Sequence, residues 1–313
     1  MENYKLTEPR YEAMNYRRCG RSGILLPEIS LGFWHNFGAD ADDEKTRKIV
    51  EYAFDQGITH FDLANNYGPP YGSAEERFGK IYEQVLKSHR DEVLITTKAG
   101  HDMWPGPYGE WGSRKNLIAS LNQSLKRMRL EYVDIFYSHR PDPNTPLEET
   151  MQALVDIVRQ GKALYVGLSK YPADMAAKAY AYLREQHVPC LVYQGRYNML
   201  NRDPEKEVLP QAAAEGAGFV AFSPLAQGLL TDRYLNGIPE GSRMTHSKFL
   251  KPEALTPELL EQLKAWNGEA EAEGLTLAQY ALRWILRRPE VTSVIVGASS
   301  VEQLKSNLAA MKR

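Results

Sequence analysis

Cysteine is scarce in this sequence: two residues in 313, Cys19 and Cys190. Thiols so far apart give neither a metal-ligand spacing nor a disulfide framework, so no metal site is expected and a reducing, cytoplasmic setting is. No apolar run approaches ~18 residues, so no membrane-spanning helix is expected. Residues 1–18 are polar and lack the apolar core of a signal peptide. Blocks of one charge sign are missing too. Lys plus Arg number 38 against 40 Asp plus Glu, a net charge of −2, and the signs alternate along helix-like segments. That balance offers nothing to nucleic acid or to an anionic membrane surface. The glycine-rich phosphate turn of a doubly wound dinucleotide fold is also absent, since Gly32-Phe-Trp34-His35-Asn36 follows the first strand-like stretch.

What is present is a rhythm. The chain is 43% hydrophobic, enough for a large core. Two short extended pieces around Cys19-Gly20-Arg21-Ser22 predict a hairpin within residues 1–26 that caps whatever follows. Strands are then predicted at 28–32, 58–62, 93–98, 133–139, 163–169, 190–194, 219–222 and 291–296. Helical sequence separates them, at 43–56, 73–86, 113–128, 145–161, 172–186, 205–215, 257–273 and 277–287, with a last helix at 301–311. Ser73 and Thr145 stand at expected helix caps. Glu75 and Glu76 fall in a first turn, where the helix dipole favours acids. Residues 223–256 form one long connection rich in Gly, Pro and Arg. Eight strands alternating with helices predict a parallel sheet, and eight right-handed crossovers close most simply into a (β/α)8 TIM barrel of the α/β class. Residues 1–313 are read as one domain.

In such a barrel the C-terminal strand ends share one face, where chemistry collects. Asp62, Lys98 and His139 end three adjacent strands, and Tyr67 lies on the loop after the second. Each alone has an ordinary explanation: a loop cap, a surface ring, a snorkelling amine, a core histidine. Together they make an acid site. A phenol with a pKa of ~10 is a poor donor near neutrality, and a neighbouring ammonium would lower that value. Asp62 can balance the ammonium. His139 can hold a substrate carbonyl while Tyr67 protonates its oxygen. No side chain donates hydride, so a reduced nicotinamide is required. A strand-end lysine also allows a Schiff-base aldolase.

These four residues, spaced as they are, resemble the catalytic set of the aldo-keto reductases, and the resemblance runs from Leu25 to Met311. The stretches from His139 to Pro146 and from Phe222 to Gly228 are similar to the branch that holds potassium-channel beta subunits and bacterial L-glyceraldehyde 3-phosphate reductases. Those from Met103 to Lys115 and from Leu235 to Pro239 look most like the latter. Histidine at position 139 fits a working reductase, because channel-type members often lack it. The resemblance implies a reductase of small aldehydes, such as L-glyceraldehyde 3-phosphate or methylglyoxal, and a methylglyoxal-detoxifying role. The other implied function is a non-catalytic nucleotide-binding regulatory subunit. It implies NADPH more than NADH, and a homo-oligomer, tetramer or octamer. Ser169 and Gln194 would hold the nicotinamide amide and Phe222 would stack on its ring, with Trp34 and Asp62 alongside. Ser223, Leu225, Gln227, Gly228 and Thr231 would line the pyrophosphate, with Arg233 and Arg243 supplying charge. Gly297, Ser299, Gln303 and Asn307 would hold the adenosine end, and Lys170 with Ser299 would favour a 2′-phosphate. Trp34, Tyr67, Trp104 and His139 would wall the substrate pocket, joined by Tyr108 and Trp111. Relatives often continue past the last helix with a segment covering the pocket; this chain stops at residue 313.

Overall fold

A strand covered on both faces buries the side chains of both, and Val133–Ser138 has all six buried, even Asp134, which accepts from the Ile95 amide at 2.7 Å and pairs with Arg90. In a computed structural model, which describes residues 10–246 and 250–311 apart from the side chains of Arg243 and His246, eight such strands close on themselves. They are β3 (Ile29–Gly32), β4 (His60–Asp62), β5 (Leu94–Ala99), β6 (Val133–Ser138), β7 (Ala163–Ser169), β8 (Cys190–Arg196), β9 (Gly218–Phe222) and β10 (Val291–Val296). All pair in parallel, and β10 returns to β3 to complete the barrel. Before it, β1 (Tyr16–Arg18) and β2 (Leu25–Pro27) form the expected antiparallel hairpin.

The hairpin plugs the barrel floor. Cys19 is fully buried there with Leu26, among Ile135, Tyr137, Val192, Val220 and Ile295 from inside the barrel. Gly20 allows the approach. Its φ is +56, and a Cβ would lie 2.0 Å from the Gly216 carbonyl oxygen, so a larger residue would displace the turn. Gly167 on β7 plays a similar part higher up, where a Cβ would meet the Tyr137 ring at 2.5 Å.

The crossover helices are α1 (Asp43–Asp55), α2 (Ser73–Ile81), α3 (Arg114–Met128), α4 (Leu147–Arg159), α5 (Ala173–Glu185) and α6 (Val208–Glu215). After β9 come α7 (Arg243–His246), α8 (Pro257–Ala272) and α9 (Leu277–Leu286), and α10 (Val301–Ala309) ends the chain's described helices. The buried stripes of α1–α6, α9 and α10 pack on the strands in one core. Near β4, Phe33 meets Phe78 edge-on at 5.1 Å and Phe61 at 6.4 Å. Burying each such ring contributes ~2–3 kcal/mol, which fixes the strand that carries Asp62.

Several local expectations are corrected. The stretch 73–86 is not one helix: α2 passes into a π turn at Tyr82–Leu86 and a 3-10 turn at Lys87–Glu92. Gly72, with φ +88, occupies the N-cap of α2. Ser73 lies inside the helix and donates to the Pro70 carbonyl at 2.6 Å. Glu75 does more than meet a dipole. It is fully buried, accepts from Thr97 Oγ1 at 2.6 Å and pairs with Arg127 at 2.8 Å, tying α2 to β5 and α3. Pro146, not Thr145, holds the N-cap of α4. Asp142 takes the Thr145 and Asn144 amides at 3.2 and 2.9 Å, so the carboxylate organises that turn instead. The connection after β9 has a core of its own. Leu229, Leu230, Tyr234, Met244 and Leu250 bury against Leu263 of α8 and Leu277 and Ala281 of α9.

Candidate active site

Parallel register sets the site. Asp62 pairs level with Gly32 on β3 and Thr96 on β5, and Lys98 lies two residues further up β5. Lys98 and Asp62 are 0% and 2% exposed, so their charges are almost wholly removed from water. Lys98 Nζ reaches Asp62 Oδ2 at 2.6 Å, the Leu63 carbonyl at 2.5 Å and the Tyr67 hydroxyl at 3.3 Å. Asp62 Oδ1 accepts from Thr96 Oγ1 and from Gln194 Nε2, both at 2.9 Å. With both carboxylate oxygens satisfied, this ion pair meets the condition for surviving burial. Tyr67 faces His139 edge-on, ring centres 6.1 Å apart.

The electrostatics correct one expectation. The Tyr67 phenol is raised above 10, because burial outweighs the opposing pull of Lys98. The phenol therefore carries its proton at neutral pH, with the Lys98 ammonium 3.3 Å from its oxygen. Burial alone would lower Lys98, but the Asp62 carboxylate and the Tyr67 oxygen raise it. A Schiff-base lysine needs a free amine; this one is held as an ammonium. Burial, with Lys98, Lys170, His101 and Arg140 adding to it, lowers His139 well below 6.5, so it is a neutral hydrogen-bonding imidazole.

A second chain of polar groups lies beneath Asp62 inside the barrel. Ser293 Oγ meets Ser30 Oγ at 2.6 Å, Ser30 meets His60 Nδ1 at 2.8 Å, and His60 Nε2 meets Thr96 Oγ1 at 3.4 Å. Sequence reasoning missed it, because His60 sits inside the predicted strand 58–62 and nothing in the local pattern marks its partners. Burial draws His60 from 6.5 to about 4, Asp62 opposing and Lys98 adding to the fall. The unfolded chain then binds a proton below about pH 6.5 that the folded chain refuses until about pH 4, so stability is lost as pH falls through that window. Urea unfolding at about pH 7 and about pH 4.5 should show the loss. His60→Asn should shrink it by about 2–3 kcal/mol, at about 1.4 kcal/mol per pH unit. An undiminished loss in the variant would clear His60 of that role.

Above these groups opens a cavity of about 1230 Å³ at the C-terminal strand ends. Asp62, Tyr67 and His139 line it, and Lys98 stands behind them. Trp34, Ser169, Gln194, Phe222, Ser223, Leu225, Gln227, Gly228, Thr231, Arg233, Gly297, Ser299, Gln303 and Asn307 all line it as well. The Arg243 side chain lies outside the described residues. Trp104 is not among the lining residues, nor are Tyr108 and Trp111. Their loop folds on itself through Met103 N to Gly109 O at 2.9 Å and Trp111 N to Gly100 O at 3.1 Å. The Arg140 guanidinium covers Trp111 at 3.7 Å. His101 and Asp102 take the wall instead, with Asn66 and Tyr71 from the Tyr67 loop. The signal for His101 and Asp102 was available, since they follow closely on the end of β5. Lys170 lines the cavity too, with its Nζ 3.2 Å from His101 Nε2 and the His101 ring edge-on to His139.

A nicotinamide dinucleotide suits this wall. Ser169 Oγ and Asn307 Nδ2 are buried without hydrogen-bond partners, and such atoms call for a ligand. Ala226, Gln227 and Gly228 have φ of +46, +61 and +103, after Ser223 at +53. A run of left-handed residues turns successive amides toward one concavity, a cradle for phosphate. Ser300 caps α10 by accepting from the Gln303 amide, and Gln303 Oε1 holds the Ser299 amide at 2.7 Å. This is helix N-terminal chemistry suited to an anion.

Comparison with known proteins agrees with this geometry. The profile of the aldo/keto reductase family matches residues 28–313. The chain is 55% identical over 308 residues to L-glyceraldehyde 3-phosphate reductase of Escherichia coli K12, covering 96% of this chain and 89% of that protein. It is 39% identical over 308 residues to a voltage-gated potassium channel subunit beta-like protein of Schizosaccharomyces pombe, covering 95% and 88%.

Proposed function

The chain belongs to the aldo/keto reductase family, oxidoreductases of carbonyl and alcohol groups, and from that premise we propose that it reduces small aldehydes to alcohols using NADPH. L-glyceraldehyde 3-phosphate is the leading substrate, by similarity to the Escherichia coli reductase, with methylglyoxal of the same class. One observation carries the reading: a buried ammonium that contacts both a carboxylate and a phenol, beside a neutral histidine on a cavity wall.

The bound cofactor supplies hydride to the carbonyl carbon. Everything else falls to the chain. Ser169 and Gln194 would hold the nicotinamide amide, Phe222 would stack on its ring, and residues 223–231 with Arg233 would hold its phosphates. Gly297, Ser299, Gln303 and Asn307 would take the adenosine. His139 donates a hydrogen bond that aims the carbonyl. Tyr67 gives its phenolic proton to the carbonyl oxygen, and Lys98 stabilises the oxygen left behind, its own charge balanced by Asp62. We read the whole chain as one catalytic domain, cytoplasmic and assembled as a homo-oligomer.

The test is turnover. The purified protein should oxidise NADPH faster than NADH when given L-glyceraldehyde 3-phosphate or methylglyoxal, with the matching alcohol as product. Tight NADPH binding without turnover of either aldehyde would favour a regulatory nucleotide-binding subunit instead.

A further inference from the structure

The reacting end of the cavity holds more positive charge than proton transfer uses. Lys170 follows β7 with φ +61, a conformation L side chains rarely adopt and one that persists where position matters. It sets the ammonium on the cavity wall, 3.2 Å from His101 Nε2. His101 lies edge-on to His139, ring centres 4.5 Å apart, and His139 lies edge-on to Tyr67. The four side chains form one succession of contacts from Tyr67 through His139 and His101 to Lys170.

Lys170 makes no ion pair with a carboxylate among the described residues; His101 is its hydrogen-bond partner. The neighbouring cation is committed elsewhere. Arg140 donates to the Gly100 carbonyl at 2.9 Å, pairs with Glu110 and covers the Trp111 ring. Asp102 also lines the cavity and accepts from Tyr71. Burial, with Lys98 and Arg140, draws Lys170 down to about 8. Burial, with Lys170 and Arg140, draws His101 down to about 4 against the pull of Asp102. Positive groups that suppress one another's charge are relieved by an anion placed between them.

We propose that Lys170 and His101 form an anion subsite for the substrate, taking the phosphate monoester of a short aldehyde while its carbonyl lies between Tyr67 and His139. The proposal rests on the aldehyde-reductase reading and deepens it, because it gives the cavity a reason to prefer a phosphorylated triose. A lysine ammonium serves phosphate as a point charge with three donors. The opposite end of a three-carbon chain is where that charge would be needed.

The experiment compares two aldehydes with the same carbonyl. The ratio of kcat/KM for L-glyceraldehyde 3-phosphate to that for L-glyceraldehyde should fall about ten- to hundredfold in Lys170→Met, the span of a charge-assisted hydrogen bond. Lys170→Arg should keep most of the ratio, and His101→Gln should lose a smaller part of it. Inorganic phosphate should compete with the aldehyde in the unmodified protein and much less in Lys170→Met. An unchanged ratio would overturn the subsite. So would a loss confined to NADPH affinity, which would assign Lys170 to the cofactor. If the unmodified protein reduces neither aldehyde, the reductase reading falls first and the subsite with it.

Discussion

Tyr67→Phe should lower kcat for aldehyde reduction by a factor of about 10²–10⁴, the contribution of a placed general acid, while NADPH affinity stays within about twofold. The substitution removes one oxygen and keeps the ring. That ring packs against the core and faces His139 edge-on, so the pocket should hold its shape. What disappears is the proton: burial keeps the phenol protonated at neutral pH, and Lys98 at 3.3 Å makes its departure tolerable. Affinity is measurable through quenching of protein fluorescence, since Trp34 lines the cavity. Parallel losses of rate and affinity would mean that Tyr67 supports the cofactor pocket and does not carry the proton.

That such a set could be read from sequence follows from how barrels place chemistry. Asp62, Lys98 and His139 each stand where an apolar run ends, and the closed barrel brings three such ends side by side. The strands were legible because β6 and β10 are buried on both faces and so appear as short, mostly apolar runs rich in Val, Ile and Phe. Contacts made across long separations were not. Glu75 looks like any first-turn acid until Thr97 and Arg127, 22 and 52 residues away, enclose it. The chain from Ser293 through Ser30 and His60 to Thr96 joins β10, β3, β4 and β5, and no local pattern announces a polar column inside an apolar barrel. The aromatic loop misled for the opposite reason. Three large rings near a strand end suggest a pocket wall, yet the loop's backbone bonds to itself, Tyr108 is exposed and Arg140 covers Trp111. The sign of the Tyr67 shift turned on burial, which composition does not report.

Lys98→Met should be costly in two ways, and a second substitution separates them. Methionine matches the lysine stem in length, so packing changes little. The Asp62 carboxylate, however, stays 2% exposed with its partner gone. Thr96 and Gln194 still donate to Oδ1, but Oδ2 loses the ammonium at 2.6 Å. Stranding a buried charge in this way costs about 3–5 kcal/mol, a large share of the ~5–15 kcal/mol that holds a domain folded. Reduction should fall along with stability, since nothing then stabilises the Tyr67 oxygen. Adding Asp62→Asn removes the stranded charge, so the double variant should regain most of the unfolding free energy in urea while its activity stays as low as that of Lys98→Met. Recovery of activity in the double variant would show that Lys98 acts only by keeping the barrel mouth folded. Failure to recover stability would show that the lysine's bond to the Leu63 carbonyl, at 2.5 Å, matters more than its pairing with Asp62.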